Sequence, residues 1–96
     1  MDLNEIKRVL REHKSRLEYK YHVSTLGIFG SWVRNEQADD SDLDILVDFT
    51  APIGLFEFID LEEELSGLLR ARVDLVSRSA LKPYIGKRIL SEVQLV

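Results

Sequence analysis

The 96-residue chain is long enough for one compact domain, carries a formal net charge of −4 at pH 7 and contains no cysteine. The missing cysteines exclude a disulfide framework and a thiolate metal site, and the acidic balance disfavours extended nucleic-acid binding. No apolar run approaches the roughly 20 residues of a membrane-spanning helix, and the N-terminus lacks the apolar stretch of a signal peptide. We therefore expect a single domain over residues 1–96, in the cytoplasm and away from membranes.

The first half of the chain predicts a helix, a strand, a short helix and a second strand. Residues 3–21 repeat apolar side chains at helical spacing between charged ones, which indicates an amphipathic helix. Residues 24–30 read as a short strand that ends at a Gly-Ser turn before a short helix. The stretch "DLDILVDF" alternates apolar and polar residues, which predicts a strand with apolar side chains on one face and carboxylates on the other.

The second half of the chain predicts a long helix, a third strand and a last helix. The long helix covers residues 55–69, and the strand covers residues 72–77. The last helix begins near residue 79 and carries its apolar residues at positions 81, 85, 89 and 93. This alternation of elements predicts an α/β or α+β fold, with a small mixed sheet of about three strands flanked by helices.

The charges concentrate in the middle of the chain. Residues 35–69 hold eleven acidic and no basic side chains, whereas the segments on either side hold more basic than acidic ones. An acidic centre suits metal ions or a basic patch on a partner protein. We interpret the run Glu62–Glu64 as the solvated face of the second long helix.

Two carboxylates, Asp42 and Asp44, share one face of the second predicted strand. Two like charges at about 4 Å repel by about 4 kcal/mol at an effective dielectric of 20, and no basic residue lies beside them in the sequence. Oxygen ligands without His or Cys favour Mg²⁺, Mn²⁺ or Ca²⁺. Asp74, in the third predicted strand, is the third candidate ligand. Three converging carboxylates would suit a two-metal site for phosphoryl or nucleotidyl transfer.

Simpler interpretations of these acids stay open. The sequence "DDSD" is typical of a solvated turn, and Asp74 could be a surface charge paired with Arg72 or Arg78.

The Gly-Ser turn adds a second signal. Gly30 permits close backbone approach, and Ser31 could cap the following helix or offer its hydroxyl to a phosphate. Arg34 could reach a phosphate or close the turn by pairing with an acid. The turn alone is weak evidence, but a phosphate-type turn followed by an Asp-x-Asp strand points to a nucleotide site.

The combination of Gly30-Ser31, Arg34, Ser41-Asp42-Leu43-Asp44 and the later strand residue Asp74 resembles the polymerase-β-type nucleotidyltransferase superfamily. The short length, "VDLVS" and the tail "LKPYIGKRILSEVQLV" are similar to the minimal nucleotidyltransferases called MntA-type antitoxins, which accompany HEPN-domain toxins. The likeness extends from about residue 24 to the end of the chain. The family pattern has Ala-Arg-Gly where this chain has Val33-Arg34-Asn35, and Asn is a residue that tolerates left-handed backbone.

The resemblance implies a role for each matching residue. Gly30, Ser31 and Arg34 would bind the nucleotide triphosphate. Asp42, Asp44 and Asp74 would be the catalytic acids and would bind Mg²⁺, two ions in the two-metal scheme. Asp74 would also help to activate the attacking hydroxyl. The implied reaction transfers AMP from ATP to a tyrosine of the partner HEPN toxin, which is thereby silenced.

Two other functions are compatible with the sequence. The chain could be a non-catalytic binding module that neutralises its partner by contact alone. It could also transfer AMP to a small molecule, although no acceptor-binding domain is visible. A partner protein that presents the acceptor fits the small size of the chain better.

Overall fold

Four strands form one mixed sheet in the computed structural model, which describes residues 1–96. The strands in chain order are β1 (Val23–Phe29), β2 (Leu43–Phe49), β3 (Val73–Ser77) and β4 (Gln94–Leu95). Their spatial order is β3-β2-β1-β4. Strand β2 pairs antiparallel with β1 and parallel with β3, and β4 pairs antiparallel with β1. The predicted mixed sheet flanked by helices is therefore confirmed, with one more strand than the sequence indicated.

Three α-helices pack on this sheet: α1 (Leu3–Tyr21), α2 (Leu55–Leu69) and α3 (Pro83–Glu92). Helix α1 begins where the Asp2 side chain accepts a hydrogen bond from the Glu5 N–H at 2.8 Å, an ordinary N-terminal cap. Two short 3₁₀ helices, Gly30–Trp32 and Arg78–Ala80, follow β1 and β3. No helix combines the length and the apolar composition that crossing a bilayer requires.

The main core lies between the sheet and the pair α1 and α2. It contains fifteen buried residues, and the alternating apolar residues of the strands face the buried stripes of these two helices. The side chains that are wholly excluded from solvent include Leu10, Leu17, Leu26, Ile28, Leu43, Ile45, Leu61 and Leu65. Burial of this apolar face is what fixes the register of β2, because a shift by one residue would place its carboxylates in the core.

The opposite face of the sheet is covered in part by α3. Ile89 packs with Phe29 of β1 and Leu46 of β2 in a smaller buried cluster. Leu46 lies on the same face as Asp44, so this face is not purely acidic as the alternation alone would suggest. The arrangement brings the C-terminal end of α3 to the sheet beside the end of β1.

The last part of the chain differs from its sequence-based description. Helix α3 begins at Pro83, where a proline is tolerated, and ends at Glu92, so Leu81 and Val93 lie outside it. Strand β4 then pairs with β1 at Gly27. A Cβ atom on Gly27 would lie 2.5 Å from Val93 Cγ2, so the close approach of this segment depends on glycine there. A two-residue strand is too short to show any periodicity in the sequence.

Candidate active site

The candidate residues converge at the ends of three neighbouring strands. Across the sheet, Phe29 of β1 pairs with Asp44 of β2, which in turn pairs with Asp74 of β3. Adjacent strands lie about 4.8 Å apart and alternate residues on one strand about 6.6 Å apart, so Asp44 and Asp74 are cross-strand neighbours on one face. Asp42 lies just before the first residue of β2, and its negative charge helps to raise the pKa of both Asp44 and Asp74. The three predicted carboxylates therefore lie near one another at one end of the strands.

The Gly-Ser turn lies directly against one of these carboxylates. Gly30 has φ +79°, and a Cβ atom there would lie 2.1 Å from Asp44 Oδ2. The predicted close approach at Gly30 is confirmed, since any larger residue would collide with Asp44 in a backbone conformation that favours glycine. The predicted cap at Ser31 is wrong, because Phe29 occupies the cap position and Ser31 lies within the 3₁₀ helix. The half-buried Ser31 keeps its hydroxyl free of any hydrogen bond within the chain.

Arg34 closes the turn by pairing with two acids. Its Nη1 donates to Glu92 Oε1 at 3.0 Å and Oε2 at 2.9 Å, and its Nε donates to Glu36 Oε2 at 3.4 Å. Glu92 also accepts a hydrogen bond from the Gly30 N–H at 3.3 Å. Asn35, which follows, has φ 57°, so the left-handed backbone expected at this position is observed. The turn is therefore held together by an acid from the far end of the chain.

The charges around the carboxylates differ from the expectation. Arg72 Nε lies 3.1 Å from Asp42 Oδ1, so one acid of the pair has a basic partner, which immediately precedes β3. Asp74 forms no ion pair with Arg72 or Arg78. Arg78 instead lies 3.6 Å from Asp48, farther along β2. Asp74 is therefore an exposed residue of the edge strand β3, as the simpler interpretation has it, but its predicted pairing with either arginine is wrong.

Asp44 is the most perturbed acid of the group. Partial burial, and then the negative charges of Asp74 and Asp42, raise its pKa to about 6, with Arg34 opposing the shift. Burial also raises the pKa of Asp74, with further contributions from Glu62 and Asp42. These shifts show that the carboxylates share one electrostatic environment, as the sequence suggested for a group that needs a cation.

The donor set fits a hard divalent cation. All three carboxylates offer oxygen, although no three acidic or histidine side chains are arranged as ligands of one ion. Mg²⁺ commonly binds one or two carboxylates and completes its shell with water and substrate phosphates, so a closed protein cage is not required. Asp42 and Asp44 are the residues that would hold it, with Asp74 beside Asp44 across the sheet. A bound cation would also relieve the repulsion that raises the pKa of Asp44.

Glu92 and Glu62 are site residues that the sequence did not single out. Glu62 Oε2 accepts the Leu75 N–H at 2.9 Å and so supports the β3 strand beside Asp74. The interpretation of residues 62–64 as a purely solvated face is wrong, because Glu64 also accepts hydrogen bonds from Lys20 and Tyr21. Neither role could be predicted from local sequence, because each glutamate contacts residues of another element of the fold. The one available signal concerned Glu92, which is the only acid in a helix whose other charged residues are basic.

Trp32 lies at the centre of the Gly-Ser turn. Its half-buried side chain packs against the main core, and its Nε1 is buried without a hydrogen-bond partner.

A mixed sheet that sets a Gly-Ser turn against a strand Asp-x-Asp, with a third acid on the next strand, defines a nucleotidyltransferase fold. A solved structure of a minimal nucleotidyltransferase is similar to the chain with a TM-score of 0.81 and 37% identity, over 98% of this chain and 95% of that one. The family model described as "Nucleotidyltransferase domain" matches residues 6–96. The chain belongs to this family, which confirms the resemblance and its enzyme class.

Relatives by sequence cover nearly the whole chain. The protein adenylyltransferase MntA of Thermococcus cleftensis is 50% identical over 93 residues, which are 97% of this chain and 94% of that protein. A Methanocaldococcus jannaschii protein that is provisionally named a protein adenylyltransferase is 49% identical over 88 residues, 91% of this chain and 90% of that protein. A toxin–antitoxin crystal structure with AMP-PNP has the same fold, with a TM-score of 0.72 and 21% identity, over 99% of this chain and 72% of that one.

Proposed function

We propose that the chain is a Mg²⁺-dependent protein adenylyltransferase that acts as an antitoxin and transfers AMP from ATP to a tyrosine of a HEPN-domain toxin. The observation that carries this proposal is the contact between the Gly30 turn and Asp44, with Asp74 beside it in the sheet. The names of the close relatives support the reaction class. The residues 1–96 would act as one minimal nucleotidyltransferase domain, and the cytoplasmic location stays a prediction.

We assign a part of the reaction to each group. Ser31 would donate its free hydroxyl to a phosphate oxygen, and Arg34 would face the phosphates from the other end of the turn. Asp42 and Asp44 would hold the cation, which supplies positive charge to the phosphates when bound. Asp74 would accept the proton of the acceptor hydroxyl. The new bond joins the acceptor oxygen to the α-phosphorus, the bond to the β-phosphate oxygen breaks, and pyrophosphate leaves.

The partner is proposed from fold neighbours and from charge. One neighbour, with a TM-score of 0.62 and 20% identity, is an MNT antitoxin in complex with a tri-AMPylated HEPN toxin from Shewanella oneidensis. Asp42 and Asp44 belong to residues 35–69, which hold eleven acidic and no basic side chains, and a basic surface of a partner would complement this charge. A partner that brings its own acceptor hydroxyl also explains how so small a fold can serve as a transferase.

The test uses labelled ATP, Mg²⁺ and the protein encoded next to this chain, as the candidate toxin. We expect the label on a tyrosine of the toxin, with transfer reduced at least about a hundredfold in the double variant Asp42→Asn/Asp44→Asn. Asp48→Asn is the matched control, because Asp48 lies on the same strand and face but outside the site. It should transfer AMP as the unaltered chain does. Absence of transfer by the unaltered chain, with the complex still formed, would contradict the proposal.

A non-catalytic binding module is the alternative, and one observation favours it. Arg72 Nε lies 3.1 Å from Asp42 Oδ1 and offsets part of that acid's charge, which lessens its need for a cation. A module of this kind would neutralise the toxin by contact. The Asp42→Asn/Asp44→Asn variant distinguishes the two functions, since undiminished neutralisation of the toxin by this variant supports the module and loss of neutralisation supports the enzyme.

A further inference from the structure

The carboxylate of Glu92 joins two parts of the Gly-Ser turn that the proposed function assigns to the nucleotide. It accepts one hydrogen bond from the Gly30 N–H at 3.3 Å and two contacts from Arg34 Nη1 at 3.0 and 2.9 Å. Glu92 is 62 residues from Gly30 and 58 from Arg34 along the chain. The turn is thus shaped by a tertiary contact rather than by its own sequence alone.

Helix α3 fixes the position of this carboxylate. Glu92 is the last residue of α3, and Ile89, one turn earlier, is buried against Phe29 and Leu46 of the sheet. Phe29 immediately precedes Gly30, so the same packing that seats the helix also sets the distance between Glu92 and the turn. The Glu92 side chain is 19% exposed, which limits the solvent screening of its pair with Arg34.

The contact with Glu92 leaves the other hydrogen-bond donors of the turn free to bind a phosphate. The single hydrogen of the Gly30 amide is taken by Glu92, but the Ser31 hydroxyl and Arg34 Nη2 donate no hydrogen bond within the chain. A guanidinium has five N–H donors, so Arg34 can bind Glu92 on one side and an anion on another. Glu92 therefore restricts the turn without occupying all the donors that a phosphate needs.

We propose that Glu92 is a positioning residue of the nucleotide site, which holds the Gly30–Arg34 turn in the shape that presents Ser31 and Arg34 to the phosphates. This inference rests on the proposed function and extends the site to the C-terminal helix. The opposite role is also physically defined: an acid in this place could act as an internal competitor that repels the triphosphate. The two roles differ in sign, because removing a positioning residue weakens nucleotide binding and removing a competitor strengthens it.

The first measurement follows the shape of the turn without any ligand. Trp32 is the single tryptophan of the chain and lies inside the turn, so its fluorescence reports on how this segment packs against the core. We expect Glu92→Ala to shift Trp32 emission to longer wavelength and to increase its quenching by acrylamide. Glu36→Ala is the matched control, because Glu36 also contacts Arg34 but does not reach Gly30. Its spectrum should match that of the unaltered chain.

The second measurement is the dissociation constant of Mg²⁺–AMP-PNP, obtained by calorimetry. We expect Glu92→Ala to raise it about tenfold, and Glu36→Ala by less than about twofold, because a displaced turn loses charge-assisted phosphate contacts. Glu92→Gln retains an amide oxygen that can accept from Gly30, so it should recover part of the loss. In an Arg34→Ala background, Glu92→Ala should add little, since Glu92 acts through the turn that contains Arg34.

Each outcome decides the matter. Equal binding by Glu92→Ala and the unaltered chain would overturn the positioning role and leave the proposed function standing. Tighter binding by Glu92→Ala would also overturn it, in favour of the competitor. Fully additive losses in the Arg34→Ala background would show that Glu92 acts by some route other than the turn. If the unaltered chain binds no Mg²⁺–AMP-PNP, the nucleotide site itself is absent and both proposals fall.

Discussion

Asp42, Asp44 and Asp74 are chemically identical residues that the fold places in different surroundings. Asp42 is more exposed and has Arg72 as a partner, whereas Asp44 lies against the Gly30 backbone and near two other acids. Burial and repulsion therefore act most strongly on Asp44, whose pKa rises to about 6. The charge of Asp44 destabilises the chain when no cation is bound, so a bound cation would stabilise the charged form of Asp44 most.

The raised pKa of Asp44 predicts that Asp44→Asn stabilises the free chain at neutral pH. The folded chain has a pKa of about 6 for this group, above the ordinary value of 3.8, so ionisation of Asp44 destabilises the fold increasingly from pH 3.8 to 6 and fully above pH 6. We expect a gain of about 1–2 kcal/mol at pH 7, below the limit of about 3 kcal/mol because of solvent screening. The gain should shrink as the pH falls through 6 towards 3.8, which thermal unfolding at several pH values would measure.

Asp48→Asn is the control for this stability experiment. It removes a carboxylate from the same face of β2 but one that lies near Arg78 rather than near other acids. It should give no gain in melting temperature at pH 7. A gain from Asp44→Asn that is the same at pH 7 and pH 4 would contradict the electrostatic explanation.

At the scale of elements, α1 and α2 are joined by more than their apolar faces. Glu64 of α2 receives hydrogen bonds from Lys20 Nζ at 3.0 Å and from the Tyr21 hydroxyl at 2.9 Å, and it also pairs with Arg16. Burial alone would raise the pKa of Glu64, but the hydrogen bonds from these three residues outweigh it and lower the pKa to about 2. The contact fixes α2 at the C-terminal part of α1.

Glu64→Gln should therefore destabilise the fold at neutral pH. Because the folded pKa of about 2 lies below the ordinary 4.5, the stabilisation is present above pH 4.5 and is lost as the pH falls from 4.5 through 2. We expect a loss of about 1–2 kcal/mol at pH 7, since Arg16 and Lys20 are about half exposed. Urea unfolding at pH 7 and pH 3 would measure it. Glu63→Gln, an exposed neighbour without a partner, should change little, and an equal loss from both variants would contradict a specific contact.

At the scale of the whole molecule, the site is assembled from four distant segments. These segments come together only because β2 pairs with both β1 and β3 and because α3 packs across the open face of the sheet. They are the turn at residues 30–34, the acids at 42–44, Asp74 and Glu92. The site and the fold are therefore coupled, and a ligand that bridges these segments should stabilise the entire chain.

Mg²⁺ together with AMP-PNP should raise the melting temperature of the whole chain. A ligand at ten times its dissociation constant contributes about 1.4 kcal/mol by mass action, which corresponds to several degrees for a domain of this size. The Asp42→Asn/Asp44→Asn variant should lose this response, whereas Asp48→Asn should keep it. A response that survives in the double variant would place the ligand elsewhere on the chain.

Much of the fold and part of the site can be predicted from the sequence because they depend on local patterns. Helical spacing defines α1 and α2, and alternation defines β2 and the shared face of Asp42 and Asp44. Gly30 was expected to permit close approach, and Asn35 to permit left-handed backbone, for stereochemical reasons that need no neighbour. These features follow from the residues themselves and from the geometry of one element.

The tertiary structure alone decided the partners of the charged groups. The observed pairs join residues that are far apart in the chain: Arg72 with Asp42, Glu92 with Gly30 and Arg34, and Glu64 with α1. Charged residues have no periodicity from which such pairs could be predicted. Strand β4 likewise exists because Gly27 leaves room for it, not because two residues carry a strand signal. Local sequence sets conformation and facing, whereas ion pairs and edge strands depend on which surfaces packing brings within a few ångströms.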